Sequence, residues 1–161
     1  MKIGIVSDHR GYRLKEKLVV YLKRIGHDIK DLGCDGKNTV DYPSFAFELG
    51  NNVVNKNVDL GIAICGSGIG ISIACNKVKG IRCAKVDSIK EAKLTRLDND
   101  ANVLALNGAM PTYKAKDIVD AFLKTEFSNL ERHKRRIEQI DNYEKAKKTR
   151  AKKKEAEQDE C

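Results

Sequence analysis

Residues 65–70 read Cys-Gly-Ser-Gly-Ile-Gly. Gly66, Gly68 and Gly70 allow a ligand to approach the backbone closely and allow positive φ. They precede a helix, so several N–H groups could converge on an anion. The stretch is not a P-loop, because no Lys-Ser/Thr pair follows the glycines. It is not a dinucleotide fingerprint either, since it follows the third strand and its spacing is wrong. Glycine-rich turns at strand ends are common, so the glycines alone name no ligand. Cys65 narrows the chemistry. It ends an apolar run and precedes amides and a helix start, and both surroundings favour thiolate over thiol. The competing reading is a buried thiol at a strand end, and on these residues alone both stay open. Ser67, two residues on, could share the same substrate.

Two other groups could do chemistry. Asp8-His9 ends the first apolar run. Asp8 suits a helix N-cap, and His9 suits a phosphate at the same helix end. Arg132 and Arg136 are four residues apart and share one helix face. Two guanidiniums on one face suit a phosphate, and the plainer alternative is a solvated basic surface. Cys75 and Cys83 read as small buried hydrophobes. With no CxxC spacing, zinc ribbons and thioredoxin-like motifs have no support.

The elements that must position these residues alternate regularly. Strands are expected at 2–7, 28–32, 58–64, 81–86 and 102–106. Helices are expected after Gly11 with a C-cap at Gly26, from Asp41-Tyr42-Pro43 to about Asn55, from the glycine loop to about Lys77, and at 88–97, 112–125 and 130–148. Short apolar strands alternating with helices imply a parallel sheet covered on both faces. Ligands bind such sheets outside the C-terminal strand ends. Ser7-Asp8-His9 and the 65–70 loop lie at such ends. Asp98-Asn99-Asp100 precedes the fifth strand and so lies at the opposite end. Either its loop folds back or a second subunit supplies it.

The chain has 161 residues, 41% of them hydrophobic, which suits one domain with a sizeable core. Residues 1–129 carry 20 Lys and Arg against 15 Asp and Glu, and residues 130–154 carry 11 against 4. Residues 130–154 are thus the most basic stretch, the body is only mildly basic, and four acids in the last seven residues bring the net charge to +8. Residues 146–161 are a charged Lys/Glu/Ala tail, expected as a solvated helix extension or disordered. A tail of mixed sign without interleaved aromatics argues against a nucleic-acid arm. No apolar run reaches the roughly 20 residues of a membrane span, and the opening MKIGIVSD meets Asp8 too soon for a secretory signal. A cytoplasmic protein is expected.

Taken together, several segments resemble type B ribose-5-phosphate isomerases. They are Cys65–Ala74 with Asn76-Lys77-Val78, Ser7-Asp8-His9 with Gly11, Asp41-Tyr42-Pro43, Asn99–Leu104, and Arg132-His133 with Arg136-Ile137-Glu138. They occur in the right order across residues 1–145, the expected isomerase domain. The resemblance implies an α/β/α sandwich with a five-stranded parallel sheet, Rossmann-like. It implies a homodimer or dimer of dimers with each site between subunits, and no metal or organic cofactor. The implied reaction interconverts ribose 5-phosphate and ribulose 5-phosphate through an enediolate, in the pentose phosphate pathway.

By the same resemblance, Cys65 is the base between C1 and C2, and Ser67 exchanges protons with the C1 and C2 oxygens. The backbone of Gly66, Gly68, Ile69 and Gly70 forms the anion hole, where donors act as charge develops. Asp8 contacts sugar hydroxyls, and Tyr42 lines the pocket. His9, Arg132 and Arg136 hold the phosphate, and the partner's copy of Asn99 positions the enediolate. Two positions depart from the family pattern. Asp98 stands where a His commonly opens the furanose ring, and a carboxyl of ordinary pKa, about 3.9, is the poorer acid at neutral pH. Ala109 stands where an Arg commonly reaches the phosphate. The alternatives left open are a weakly active or non-catalytic sugar-phosphate-binding homologue, and a galactose-6-phosphate isomerase-like subunit.

Overall fold

The computed structural model describes residues 1–36 and 38–159, with side chains described through residue 146. The chain divides into two compact units, Met1–Phe127 and the residues from Ser128 onward. In the first unit the order is β1 (Lys2–Ser7), α1 (Tyr12–Arg24), β2 (Asp28–Asp31), α2 (Tyr42–Val54), β3 (Leu60–Cys65) and α3 (Ile69–Cys75). Then come β4 (Cys83–Lys85), α4 (Ile89–Asn99), β5 (Val103–Asn107) and α5 (Thr112–Lys124). The second unit holds one helix, α6 (Glu131–Asp159). It runs past the expected end at 148. The tail side chains from 147 on, and residues 160–161, lie outside the described residues.

All strand pairings are parallel, in the order β2-β1-β3-β5-β4. The expected α/β architecture is therefore present. The alternation of side chains along each strand sorts the core into two faces. Ile3, Ile5, Ile62, Ile64, Leu104 and Leu106 meet Leu14, Leu18 and Leu22 of α1 and Ile118, Val119 and Phe122 of α5. Val6, Ala63, Cys65, Val103 and Ala105 face Ala46, Leu49 and Val53 of α2 and Ile71, Ala74 and Cys75 of α3. The second face is made of smaller strand residues, so α2 and α3 can sit close to the sheet. Several strand and helix ends fall one to two residues from those expected, because the flanking residues pair in turns rather than in the ladder. Gly26, at φ 91°, closes α1 as expected: its N–H donates to Lys23 O, and the His27 N–H donates to Leu22 O. That is the Schellman pattern.

The chain leaves β1 toward β2 on one side and has β3 on the other, so β1 and β3 flank the switch point of the sheet. Their C-terminal ends are where a ligand is expected to bind. No helix among the described residues is long and apolar enough to cross a membrane.

Candidate active site

At that switch point two turns close on each other. The first follows β1. Asp8 is 5% exposed. Its Oδ1 accepts the Arg10 N–H at 2.9 Å and the Gly11 N–H at 2.8 Å. One carboxylate oxygen thus orders the turn into α1, as the capping reading expected, and the side chain still lines the cleft. The second turn follows β3. Cys65 is 4% exposed, and the Gly68 N–H donates to its Sγ at 3.2 Å. That donor puts partial positive charge where a thiolate would carry its negative charge. Gly68 sits at φ 77°, and a Cβ there would lie 2.8 Å from the Leu106 carbonyl carbon. Glycine is thus needed twice over, for the left-handed backbone and for the contact with β5.

Together these turns and the start of α2 enclose a cleft of about 380 Å³, lined by Asp8, Arg10, Tyr42, Cys65, Gly66, Ser67 and Gly70. Tyr42 presses so closely on the loop that a Cβ at Gly70 would come 2.6 Å from its Cζ. Ser67 is exposed, and its Oγ accepts the Ile69 N–H at 3.1 Å. Two of the loop amides, Gly68 and Ile69, therefore already have partners within the loop. Donors for an anion are left at the other residues of the expected hole.

The remaining expected residues are not among those that line the cleft. His9 Nδ1 lies 3.3 Å from both the amide nitrogen and the carbonyl oxygen of Val40, so the ring ties the loop ahead of α2, and His9 is not among the cleft-lining residues. Arg132 and Arg136 lie one turn apart on α6, both exposed. Ser128 Oγ, near the start of that helix, is 3.2 Å from His133 Nδ1. Asp98 and Asn99 end α4, half-buried and exposed respectively.

The register excludes a folded-back loop for these last two. Gly61 pairs with Val103, and Cys65 pairs with Asn107. Residues ahead of Val103 are thus about four strand residues from Cys65, or roughly 13 Å at ~3.3 Å per residue. The segment is also held in place. Arg82 donates to the carbonyl oxygens of Asn99 and Asp100, and Arg96 Nη1 donates to Asp100 Oδ1 at 2.8 Å and to Ala101 O at 2.6 Å. Within one chain, Asp98 and Asn99 do not meet Cys65.

Sequence reasoning missed Arg10, which lines the cleft, and the clamp of Arg82 and Arg96. Arg10 directly follows Asp8-His9 in the turn, and that adjacency was the available signal. The clamp had none, because it depends on a turn that brings residue 82 to residue 100. Cys75 is fully buried and Cys83 half-buried, close to the expectation for both. The Cys83 thiol is held well above the usual range by its hydrogen bond with Cys75, then by burial. Among the described residues no cluster of His, Cys, Asp or Glu groups as a metal-ligand set.

The Ribose/Galactose Isomerase family matches residues 3–140. A ribose-5-phosphate isomerase B of Mycobacterium tuberculosis is 40% identical over 149 residues, spanning 90% of this chain and 91% of that protein. The structure of Clostridium thermocellum ribose-5-phosphate isomerase B superposes with a TM-score of 0.88 at 46% identity, over 91% of this chain and 99% of that one. A Mycoplasma genitalium ribose-5-phosphate isomerase B structure with bound ribulose-5-phosphate gives a TM-score of 0.84 at 44% identity, over 89% and 96% of the two chains. A five-stranded parallel sheet, a thiol and glycine loop at its switch point, and likeness along nearly the full length of these proteins lead to one conclusion: the chain belongs to the Ribose/Galactose Isomerase family.

Proposed function

We propose that this isomerase interconverts ribose 5-phosphate and ribulose 5-phosphate through an enediolate, with Cys65 as the base. The observation that carries the reading is the buried Cys65 thiol at the floor of the cleft, with an amide donor on its sulfur and Asp8 and Ser67 beside it. A base that removes a proton from one carbon and returns it to the neighbour must be held still and out of bulk water. Cys65 is fixed by the strand on one side and by Gly68 on the other. Ser67 Oγ exchanges protons with the substrate oxygens. The loop amides left without partners take up the negative charge that develops on those oxygens, where preorganised donors act most strongly. Asp8 Oδ2 accepts from the sugar hydroxyls while Oδ1 holds the turn, and Tyr42 walls the cleft.

The reading is of a homodimer or dimer of dimers with sites between subunits. It is supported by the position of Asp98 and Asn99 at the sheet end opposite Cys65, where only another copy's cleft could use them. Arg132, Arg136 and His9 hold the phosphate. Residues 1–145 act as the isomerase domain, and 146–161 as a charged tail. A second reading, a weakly active or non-catalytic sugar-phosphate binder or a galactose-6-phosphate isomerase-like subunit, is favoured by the two departures at Asp98 and Ala109.

The test is turnover of ribose 5-phosphate by the purified chain without added metal or partner. Ribulose 5-phosphate formation at a rate proportional to enzyme supports the reading. Binding of the sugar phosphate without turnover moves the protein to the second reading.

A further inference from the structure

We infer that Arg10 is a specificity-determining residue of this site, a cation that holds the phosphate of the substrate. The inference rests on the isomerase reading and adds a residue to it. Arg10 is exposed at the mouth of the cleft whose floor is Cys65. Its side chain lies along the glycine loop. A Cβ on Gly66 would come 2.8 Å from Arg10 Cδ, 3.3 Å from Nη1 and 3.5 Å from Nε. The side chain therefore lies against the Gly66 backbone with its outer side exposed, and the lack of a side chain at Gly66 makes the room.

Charge settles what it is for. Among the described residues, Asp8 is the only carboxylate lining the cleft. Its Oδ1 is occupied by the main-chain N–H groups of Arg10 and Gly11. The Arg10 guanidinium makes no ion pair with any described residue, while Arg82 and Arg96 are tied to Asp100. A planar fork of donors, unneutralised and held beside a loop of amides, matches the geometry and charge of a phosphate. The turn that carries it is braced from behind: a Cβ on Gly108 would lie 2.7 Å from Arg10 O, so the loop after β5 packs directly on the Arg10 backbone. Arg10 thus presents its charge from a supported position in the same chain as Cys65.

The experiment compares the wild-type chain with Arg10→Lys, Arg10→Gln and Arg10→Glu. Two readouts are used, KM against kcat for ribose 5-phosphate, and equilibrium binding of inorganic phosphate by calorimetry. Arg10→Gln should raise KM about 10- to 100-fold with kcat little changed, and weaken phosphate binding by a similar factor, as expected for one charge-assisted bond. Arg10→Lys should recover part of both losses, and Arg10→Glu should exceed both. Turnover of unphosphorylated ribose, poor in every variant, should not change. Unchanged KM and unchanged phosphate binding in Arg10→Gln overturn the inference, as does a fall in kcat with phosphate binding intact. The phosphate measurement needs no turnover. A wild-type chain that fails to isomerise would count against the isomerase reading, while the calorimetry would still decide the role of Arg10.

Discussion

Gly68 donates its N–H to Cys65 Sγ over 3.2 Å, across a turn that only a glycine at φ 77° can make. The base and the loop that faces the substrate are therefore one unit. Cys65→Ala should lower turnover of ribose 5-phosphate by at least ~100-fold, the usual worth of a positioned base. Cys65→Ser keeps an acceptor for the Gly68 N–H but has a far less acidic hydroxyl, and should fall with it. Cys75→Ala and Cys83→Ala should keep most of the activity, since both pack in the core cluster beneath α2 and α3 and neither lines the cleft. Circular dichroism on each variant separates lost chemistry from lost fold. Substantial turnover in Cys65→Ala would remove the thiol from the reaction.

A second consequence concerns the opposite ends of the sheet. If Asn99 of one subunit serves Cys65 of another, Cys65→Ala and Asn99→Ala each inactivate a different half of every site. Unfolding and refolding the two inactive variants together at equal amounts should restore activity, because mixed dimers carry one intact site. With random pairing about a quarter of all sites are intact in a two-fold dimer. Recovery of nothing, with dimers confirmed by light scattering, would mean that each chain completes its own site.

That split also marks how far sequence reached. The cleft was legible because its parts are local: Asp8 and Cys65 each end an apolar run, and strand ends that neighbour a switch point are close in space. The placement of Asp98 at the far end was legible too, from its position before β5. The contact of Arg10 with Gly66 was not, since it depends on which strands lie side by side, and the β2-β1-β3-β5-β4 order is not written in any one segment. His9 shows a different limit. Its side chain turns back to Val40 in a loop without periodic signal, so only the folded chain reveals that its ring anchors that loop.

Stability has its own pH signature. The side chain of Lys15 is 1% exposed, and its Nζ donates to Asp31 Oδ1 at 2.7 Å and Oδ2 at 2.5 Å, with Glu16 at 3.2 Å. Burial pulls the ammonium pKa down, but the hydrogen bond and charge of Asp31, helped by Glu16, outweigh it and leave the pKa above the ordinary 10.5. A raised lysine pKa adds stability that is complete below the unfolded value and is lost as pH rises through the folded one. Asp31→Asn strands the buried charge and should cost about 2 kcal/mol, less than the roughly 3–5 kcal/mol of fully buried pairs because Asp31 is partly exposed. Urea midpoints should show a gap between wild type and variant that is full at neutral pH and closes at alkaline pH, as the Lys15 ammonium is lost. A gap that does not narrow would mean that the ammonium contributes nothing.

Asp98 bears on ring opening. Ribose 5-phosphate closes through O4 into a furanose, whereas ribulose 5-phosphate, with O5 esterified, cannot form a five-membered hemiketal. Only the aldose direction therefore needs a proton shuttle for the ring. If that shuttle requires a His, this chain relies on spontaneous opening. Asp98→His should then speed turnover of ribose 5-phosphate several-fold and leave initial rates from ribulose 5-phosphate unchanged. If the Asp98 carboxyl is itself the shuttle, Asp98→His brings no gain and Asp98→Asn slows the aldose direction selectively. The half-buried position of Asp98, on a helix end fixed by Arg82 and Arg96, suits a group that must be presented at a set angle to another chain's cleft. That rigidity favours the second outcome, since a clamp on the segment has little use if the side chain it presents does nothing. Initial rates of both variants in both directions decide between the two. Identical rates throughout would take position 98 out of the reaction and leave ring opening to Asp8, His9 or solvent.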